Sequence, residues 1–427
     1  MGVDAVSGAT LTSDALVNAV KDAAGKAGVT LSLLPVRRST VQEPQKIKSD
    51  FDVVVVGSGG AGFAAALTAK EHGANVAILE KMPNVGGNSL ISSAEMAATG
   101  NWLQKKEGIK DSPELHYRDT ITGGDFRGDP AIVRTLVYNA LPAALWLRDK
   151  IGVEFEDHLF FFGGHSVKRP LIPKGATGQE MITKLLAAAQ KNDIPIYSQT
   201  KETELVKDAD ERVVGVKATM NGTDYSFNAA KGVVLATGGF AANVQMRTEA
   251  NPFYGAGFKT TNLPSAQGDG IVMAQKAGAQ AVNLELIQTY PMCDPVSGAI
   301  ELIDDACFEG AVLINQNGER FVEELERRDV MSKAILEQPG KYCYALFNQK
   351  VEDRAHTVAN HQEEVEAFSK TGVLKTGRTL EEVAAAFDIP LENLRRTVAR
   401  VNEFAKTGKD TDFNYRGKFS DLSEGPY

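Results

Sequence analysis

Asp304 and Asp305 stand side by side in "IELIDDACFEG", directly after the apolar Ile300, Leu302 and Ile303. Two carboxylates in such a run either close a surface turn or accept charge-assisted hydrogen bonds from a cation or a ring N–H. Surface exposure is the commoner fate of an aspartate pair. Just downstream, "ERFVEELERRDVMS" sets Arg328 in a dense charge run, where a guanidinium is ordinarily solvated. The glycines of "GSGGAG" point to different chemistry. Gly57, Gly59 and Gly62 have the GxGxxG spacing that brings backbone amides against a pyrophosphate.

These residues need elements to hold them. The glycines follow the β-branched run Val53–Val56, read as a strand covered on both faces, and open a helix through residues 64–70. The first glycine permits the tight turn, the second the close approach of a diphosphate, and the third close packing of helix on strand; Gly60 and Ala61 lie between them. The helix N-terminus offers its partial positive charge to the phosphates. Glu80 ends the next strand, "NVAILEK", at the spacing of a carboxylate that accepts from ribose hydroxyls, with Lys81 beside it. A glycine-rich turn in some other α/β protein is the competing reading.

Residues 129–150 and 177–191 carry apolar residues at helical spacing. Residues 195–239 alternate in short segments with turn signals, and predict an antiparallel meander that feeds back into the main sheet. From about 255 the character shifts to loops and short helices, ending in the helical "TLEEVAAAF" and "LENLRRTVARVNEFAK". The polar, proline-containing stretch 34–50 reads as a linker.

Three further stretches bear on which dinucleotide is held. "NVGGNSLIS" brings Gly87, Asn88 and Ser89 close after Glu80, and "GVVLATGGFAAN" puts Ala236, Thr237 and Gly238 after a second buried strand. Both resemble signatures of FAD-binding flavoproteins of the two-dinucleotide-binding type. "SAQGDGIVMAQ", with Asp269 between two glycines at a helix start, fits a third contact of that kind. At the N-terminus, "DAVSGATLTS" resembles the attachment signature of covalent FMN-binding domains. In those domains a flavin transferase esterifies FMN phosphate to the last threonine, here Thr10. A whole domain of that kind is longer than this segment, and a flexible lead into the helical "SDALVNAVKDAAG" is the plainer reading.

An FMN-binding tail joined to an FAD-binding body resembles the fumarate reductase and flavocytochrome c family of ene-reductases. That resemblance implies an α/β fold, with a Rossmann-like FAD-binding domain of the glutathione-reductase type and an inserted α+β capping domain. The boundaries it suggests are an FMN-domain piece over 1–33, the linker 34–50, the FAD-binding domain 51–254 and the capping domain 255–427. "RFVEELERRDVMS" matches the family's Arg-Phe-x-x-Glu-x-x-x-Arg-Asp-x-x-Ser segment, which makes Arg328 the proton donor beside the substrate double bond. Hydride from reduced flavin reaches the β-carbon of an acrylate and a proton reaches the α-carbon. Arginine stays protonated throughout the physiological pH range, so it can give up a proton only if refilled at once. Its charge also stabilises the developing enolate. By the resemblance Asp304 falls where a relay glutamate would be, and Cys307 replaces a relay arginine. A thiol cannot do that work, so the proton route is expected to run through Asp304 and water.

Tyr290 stands where the fumarate enzymes carry a histidine that grips the second carboxylate. Paired acids would repel such a carboxylate in a desolvated pocket. A phenol can pack on a ring and an aspartate can accept from an imidazole N–H. This combination resembles the family's urocanate-reducing branch, which turns imidazole-acrylate into imidazole propionate. Asp305 is then expected to hold the imidazole, and Asp304 to serve protonation or structure. A fumarate or cinnamate-type reductase, a ketosteroid dehydrogenase on the same fold, and a flavin electron-transfer module without ene-reduction are the alternatives.

Bulk properties narrow the field. A net charge of -9 over 427 residues argues against a nucleic-acid surface. The three cysteines, Cys293, Cys307 and Cys343, lack metal-ligand spacing, and no metal is expected. No CxxCH haem motif occurs, so the FMN is expected to take electrons from a membrane quinol or a dehydrogenase. Such FMN attachment implies a periplasmic or cell-surface location, although the first residues do not read as a signal peptide. The chain is expected to be a fragment. The last FAD-binding strands, and the histidine and arginine of the family's substrate-carboxylate clamp, are expected beyond Tyr427.

Overall fold

The computed structural model describes residues 47–159, 161, 164–294, 298 and 305–427, together with Lys26. Its centre is a six-stranded sheet of order β5-β2-β1-β8-β7-β6. Strand β1 (Asp50–Val56) lies between two parallel neighbours, β2 (Val76–Leu79) and β8 (Thr223–Leu235). Its valines explain the position. Val54, Val55 and Val56 are at most 1% exposed, as a strand buried on both faces requires.

Successive residues of β1 and β2 feed opposite faces. Val55, Val76 and Ile78 pack against Phe63 and Leu67 of helix α1 (Gly60–Glu71). Val54, Val56, Ala77 and Leu79 join Val216, Ala218 and Phe227 on the other side. The meander runs β6 (Thr200–Lys207), β7 (Val213–Met220) and β8, antiparallel throughout. Strand β8 is long enough to do two jobs. Its first half pairs with β7, and its second half crosses to pair with β1 down to Val56↔Leu235. Short β5 (Ile196–Tyr197) closes the far edge on β2.

A small β3–β4 pair (Met96–Ala97 with Pro170–Leu171) lies by helix α3, beyond α2 (Gly87–Ile91) in the chain. Helix α3 (Pro130–Leu145) starts on an Asp129 cap that accepts from the amides of Ala131 and Ile132 at 2.8 and 3.1 Å. The residues after it do not continue as a plain α-helix to 150. They widen into a π-turn, Trp146–Ile151, that ends on left-handed Gly152. Pro142, inside α3, has no N–H to donate to the preceding turn, and the ladder widens just beyond it. Helix α4 (Gly178–Lys191) packs Ile182, Leu185 and Ala189 onto the α1 face of the sheet.

A second core occupies residues 292–427. The pair β9 (Val312–Ile314) and β10 (Tyr344–Leu346) is covered by two helices late in the chain. Before them come α5 (Val244–Ala250), α6 (Asp269–Lys276), α7 (Asp305–Phe308) and α8 (Arg328–Leu336). Of the covering helices, α9 (Leu380–Phe387) buries Val383 and Ala384, and α10 (Leu391–Thr407) buries Leu394, Val398, Val401 and Phe404 along one face. Arg320 is buried in this core and grips Glu324 at 2.7 Å and Asp410 at 3.1 Å. Glu324 in turn accepts from the Leu313 amide at 3.2 Å. These bonds fix the segment that delivers Arg328 at the start of α8. No helix among the described residues is long and apolar enough to cross a membrane.

Candidate active site

Dinucleotide-cradle residues gather at the carboxyl ends of β1, β2 and β8, the end of an open α/β sheet where ligands bind. Gly57 has φ +101°, and a Cβ there would fall 2.4 Å from the Ala236 carbonyl oxygen. Gly62 is equally constrained, since a Cβ would sit 2.0 Å from the Gly57 carbonyl oxygen. The β1 and β8 loops therefore lie backbone against backbone, tied by the Ala236 amide donating to Val56 at 2.8 Å. Gly59 caps α1 without a side chain over its amides, and Ser89 Oγ accepts from the Gly60 amide at 3.1 Å. Ala61 is exposed on the first turn of α1. Gly238, with φ +72°, faces open space on the other side of the cradle.

Glu80 is buried at the end of β2, and its carboxylate accepts from Ser58 N at 3.0 Å, Ser58 Oγ at 2.5 Å and Met82 N at 2.8 Å. The carboxylate is thereby held in one orientation beside the glycine turn. Lys81 donates to Asp269 at 2.5 Å and to the Ser265 carbonyl. Burial would raise the Asp269 carboxyl, but the Lys81 and Lys201 ammonium groups together outweigh it and hold the group below the usual carboxylate range. Thr237 packs on α6, where a Cβ at Gly270 would meet its Oγ1 at 2.1 Å. Gly87 opens α2 with φ +51°. A turn that excludes any Cβ and an open, amide-lined face beside it fit a diphosphate and its attached rings.

Asn88 connects this cradle to a large cavity of about 1730 Å³. Its amide donates to Asn262 at 2.6 Å and its Oδ1 accepts from Leu263 at 2.9 Å, and Asn262 is part of the cavity wall. Tyr290 and Arg328 line the same cavity, with the guanidinium 4.8 Å from the centre of the tyrosine ring. Arg327 and Arg328 are adjacent in sequence, yet they are used differently. Arg327 donates to the Gly123 carbonyl and is bound to Asp125 and Asp329, whose carboxylates raise its pKa further. Arg328 has no carboxylate partner among the described residues and turns to Tyr290 instead.

Asp305 begins α7, whose position is described while the aspartate side chain is not. Asp304 and Thr10 lie outside the described residues. Cys307, expected to stand in place of a relay arginine, is 4% exposed in the second core, and its carbonyl accepts from Tyr415 Oη at 2.6 Å. The cavity residues not anticipated from sequence include two buried polar groups. Ser332 lies one turn after Arg328 on α8, and Arg247 lies on α5. Ser332 closes the matched "RFVEELERRDVMS" segment and was findable there; nothing in the sequence around Arg247 distinguishes it from a solvated helix arginine.

Residues 52–426 match the family model described as an FAD binding domain, and residues 1–25 match the FMN-binding domain. The chain is 43% identical to a urocanate reductase of Eggerthella lenta, over all of this chain and 71% of that protein. It is 36% identical to a fumarate reductase (cytochrome) of Shewanella frigidimarina, over 88% of this chain and 64% of the relative. Among solved structures, the open conformation of a flavocytochrome c3 fumarate reductase superposes with TM-score 0.70 at 30% identity, covering 93% of this chain and 71% of that one. The α/β fold and both flavins, FAD for the body and FMN for the N-terminal segment, accord with these matches. The chain belongs to the FAD-binding-domain family of flavoproteins, in the group of FAD-dependent oxidoreductases that reduce carbon–carbon double bonds.

Proposed function

We propose that this chain is a urocanate reductase that holds FAD at the glycine cradle, with imidazole propionate as product. FAD bound at the cradle supplies the hydride that goes to the β-carbon of the acrylate. The chain's own residues do the rest. Arg328, at the first turn of α8, gives a proton to the α-carbon and offsets the charge that builds on the carboxylate. Tyr290 holds the guanidinium through its ring face at 4.8 Å, so the fork is aimed before substrate arrives. Asp305, and Asp304 beside it, are assigned to the imidazole end and to resupply of the proton. Gly57, Gly59, Gly60, Ala61, Gly62, Glu80, Lys81, Gly87, Asn88, Ser89, Ala236, Thr237, Gly238 and Asp269 are assigned to FAD.

The observation that carries this reading is the Arg328–Tyr290 pair in one cavity, joined to the flavin cradle through Asn88 and Asn262. A tyrosine at this point suits an aromatic end group better than a second carboxylate. The test is turnover of urocanate, fumarate and cinnamate with a reduced viologen as donor. Urocanate should be reduced fastest; a preference for fumarate would replace this reading with that of a fumarate reductase. An oxidised flavin that never reappears with any acrylate would leave an electron-transfer module.

The N-terminal segment extends the proposal. The match of residues 1–25 to the FMN-binding domain supports assigning Thr10 as the residue to which a flavin transferase esterifies FMN, and on this reading the protein works outside the cytoplasm with FMN as the entry point for electrons from a separate donor. Loss of FMN fluorescence from denatured Thr10→Ala protein, with retention in the parent, is the expected result.

A further inference from the structure

Arg247 is 4% exposed, yet it lines the cavity that holds Arg328 and Tyr290. Its Nη2 donates to the Phe258 carbonyl at 3.3 Å, and its Nε has no hydrogen-bond partner. None of the ion pairs among the described residues includes it, whereas buried Arg169 and Arg320 each hold two carboxylates. A guanidinium stays charged at any physiological pH. Burying one without a counter-ion costs several kcal/mol, so such sites normally take an anion. Ser332, 7% exposed on α8, adds a second polar group without a partner to the same cavity.

We infer that Arg247 binds the carboxylate of the acrylate substrate, which rests on the ene-reductase reading but not on the identity of the distal group. A planar fork with an unfilled Nε donor matches a carboxylate, which can accept two parallel N–H bonds. The FAD diphosphate is the other oxyanion near at hand, but the glycine turn and the start of α1 already meet it from Gly57 to Gly62. Arg247 stands instead on α5, beyond the β8 loop and toward the cavity.

The test compares the flavin-loaded parent with Arg247→Met and Arg247→Lys, by flavin absorbance changes on titration with urocanate, fumarate, acrylate and urocanamide. Arg247→Met should weaken each carboxylate about 10- to 100-fold, the loss of one charge-assisted contact, and leave urocanamide unchanged. Arg247→Lys should lose less. FAD content should not fall, and flavin-free Arg247→Met should melt no lower than the parent, because a buried charge without a partner has been removed. Unchanged carboxylate affinity, equal losses for acid and amide, or loss of FAD with carboxylate binding intact would each overturn the inference. A large drop in melting temperature would do the same, by making the guanidinium a structural pin. Should fumarate and acrylate show the arginine dependence while urocanate does not bind, the substrate reading fails and this one stands.

Discussion

Replacing Tyr290 separates two roles that one side chain combines. Its ring face lies 4.8 Å from the Arg328 guanidinium, within the range of a cation–π contact. Such a contact contributes about 0.5–1 kcal/mol when exposed and about 2 kcal/mol when desolvated. Arg328 is exposed in this structure, so the lower value holds before substrate closes the cavity and the higher one after. At 1.36 kcal/mol per tenfold in rate, Tyr290→Leu should slow kcat about 2- to 30-fold through arginine misplacement alone. Tyr290→Phe keeps the ring face, so kcat should stay close to the parent and KM for urocanate should rise if the phenol meets the imidazole. The assay is steady-state reduction of urocanate in both variants, repeated in an Arg328→Lys background. A real contact makes Tyr290→Leu cost less there than in the parent. Equal costs in the two backgrounds, or Phe and Leu variants indistinguishable in kcat, would refute the coupling.

Asp305→Ala should cut urocanate reduction by orders of magnitude with FAD content unchanged; equal loss with every acceptor would remove the imidazole-specific role. Gly57→Ala should abolish FAD retention, since its Cβ would lie 2.4 Å from the Ala236 oxygen at a φ of +101° that costs a side chain about 1–2 kcal/mol even without the clash. Bound FAD after gel filtration of this variant would contradict that. His116 is buried beside Arg169, and burial above all, with the arginine's charge second, pushes its imidazole down to about 4 from 6.5. Its folded pKa is depressed, so its stabilising effect is complete above about 6.5 and is lost as pH falls toward 4, about 3 kcal/mol in total. Urea unfolding from pH 7 to 4 should show a shallower pH slope in His116→Gln, and parallel slopes would refute the assignment.

Much of the flavin cradle was legible because its determinants are local. A β-branched strand, a glycine turn and a helix follow one another in sequence, and the backbone has few ways to satisfy them. The meander at 195–239 was legible for the same reason, through alternation and turn residues. The two arginines of "ERRD" were not separable by pattern. What distinguishes them is that Arg327 meets Asp125, some 202 residues earlier, while Arg328 meets Tyr290. Arg247 was unreadable because its burial is a tertiary outcome, seen in its bond to the Phe258 carbonyl, with no signature in a short helix. The widening of α3 at Trp146 was missed although Pro142 is plain in the sequence, because the apolar helical spacing runs on past the proline.

The 188-residue span between Lys81 and Asp269, like the pairing of β1 with β8, bears on how the protein is made. During synthesis β1 and β2 emerge long before the strand that completes their sheet, so an apolar edge waits unpaired on the nascent chain. Loop closure on that scale is slow and aggregation-exposed. The nucleotide pocket cannot close until the ribosome has passed Gly270, so flavin capture belongs late in biogenesis, and chaperone demand should peak before it.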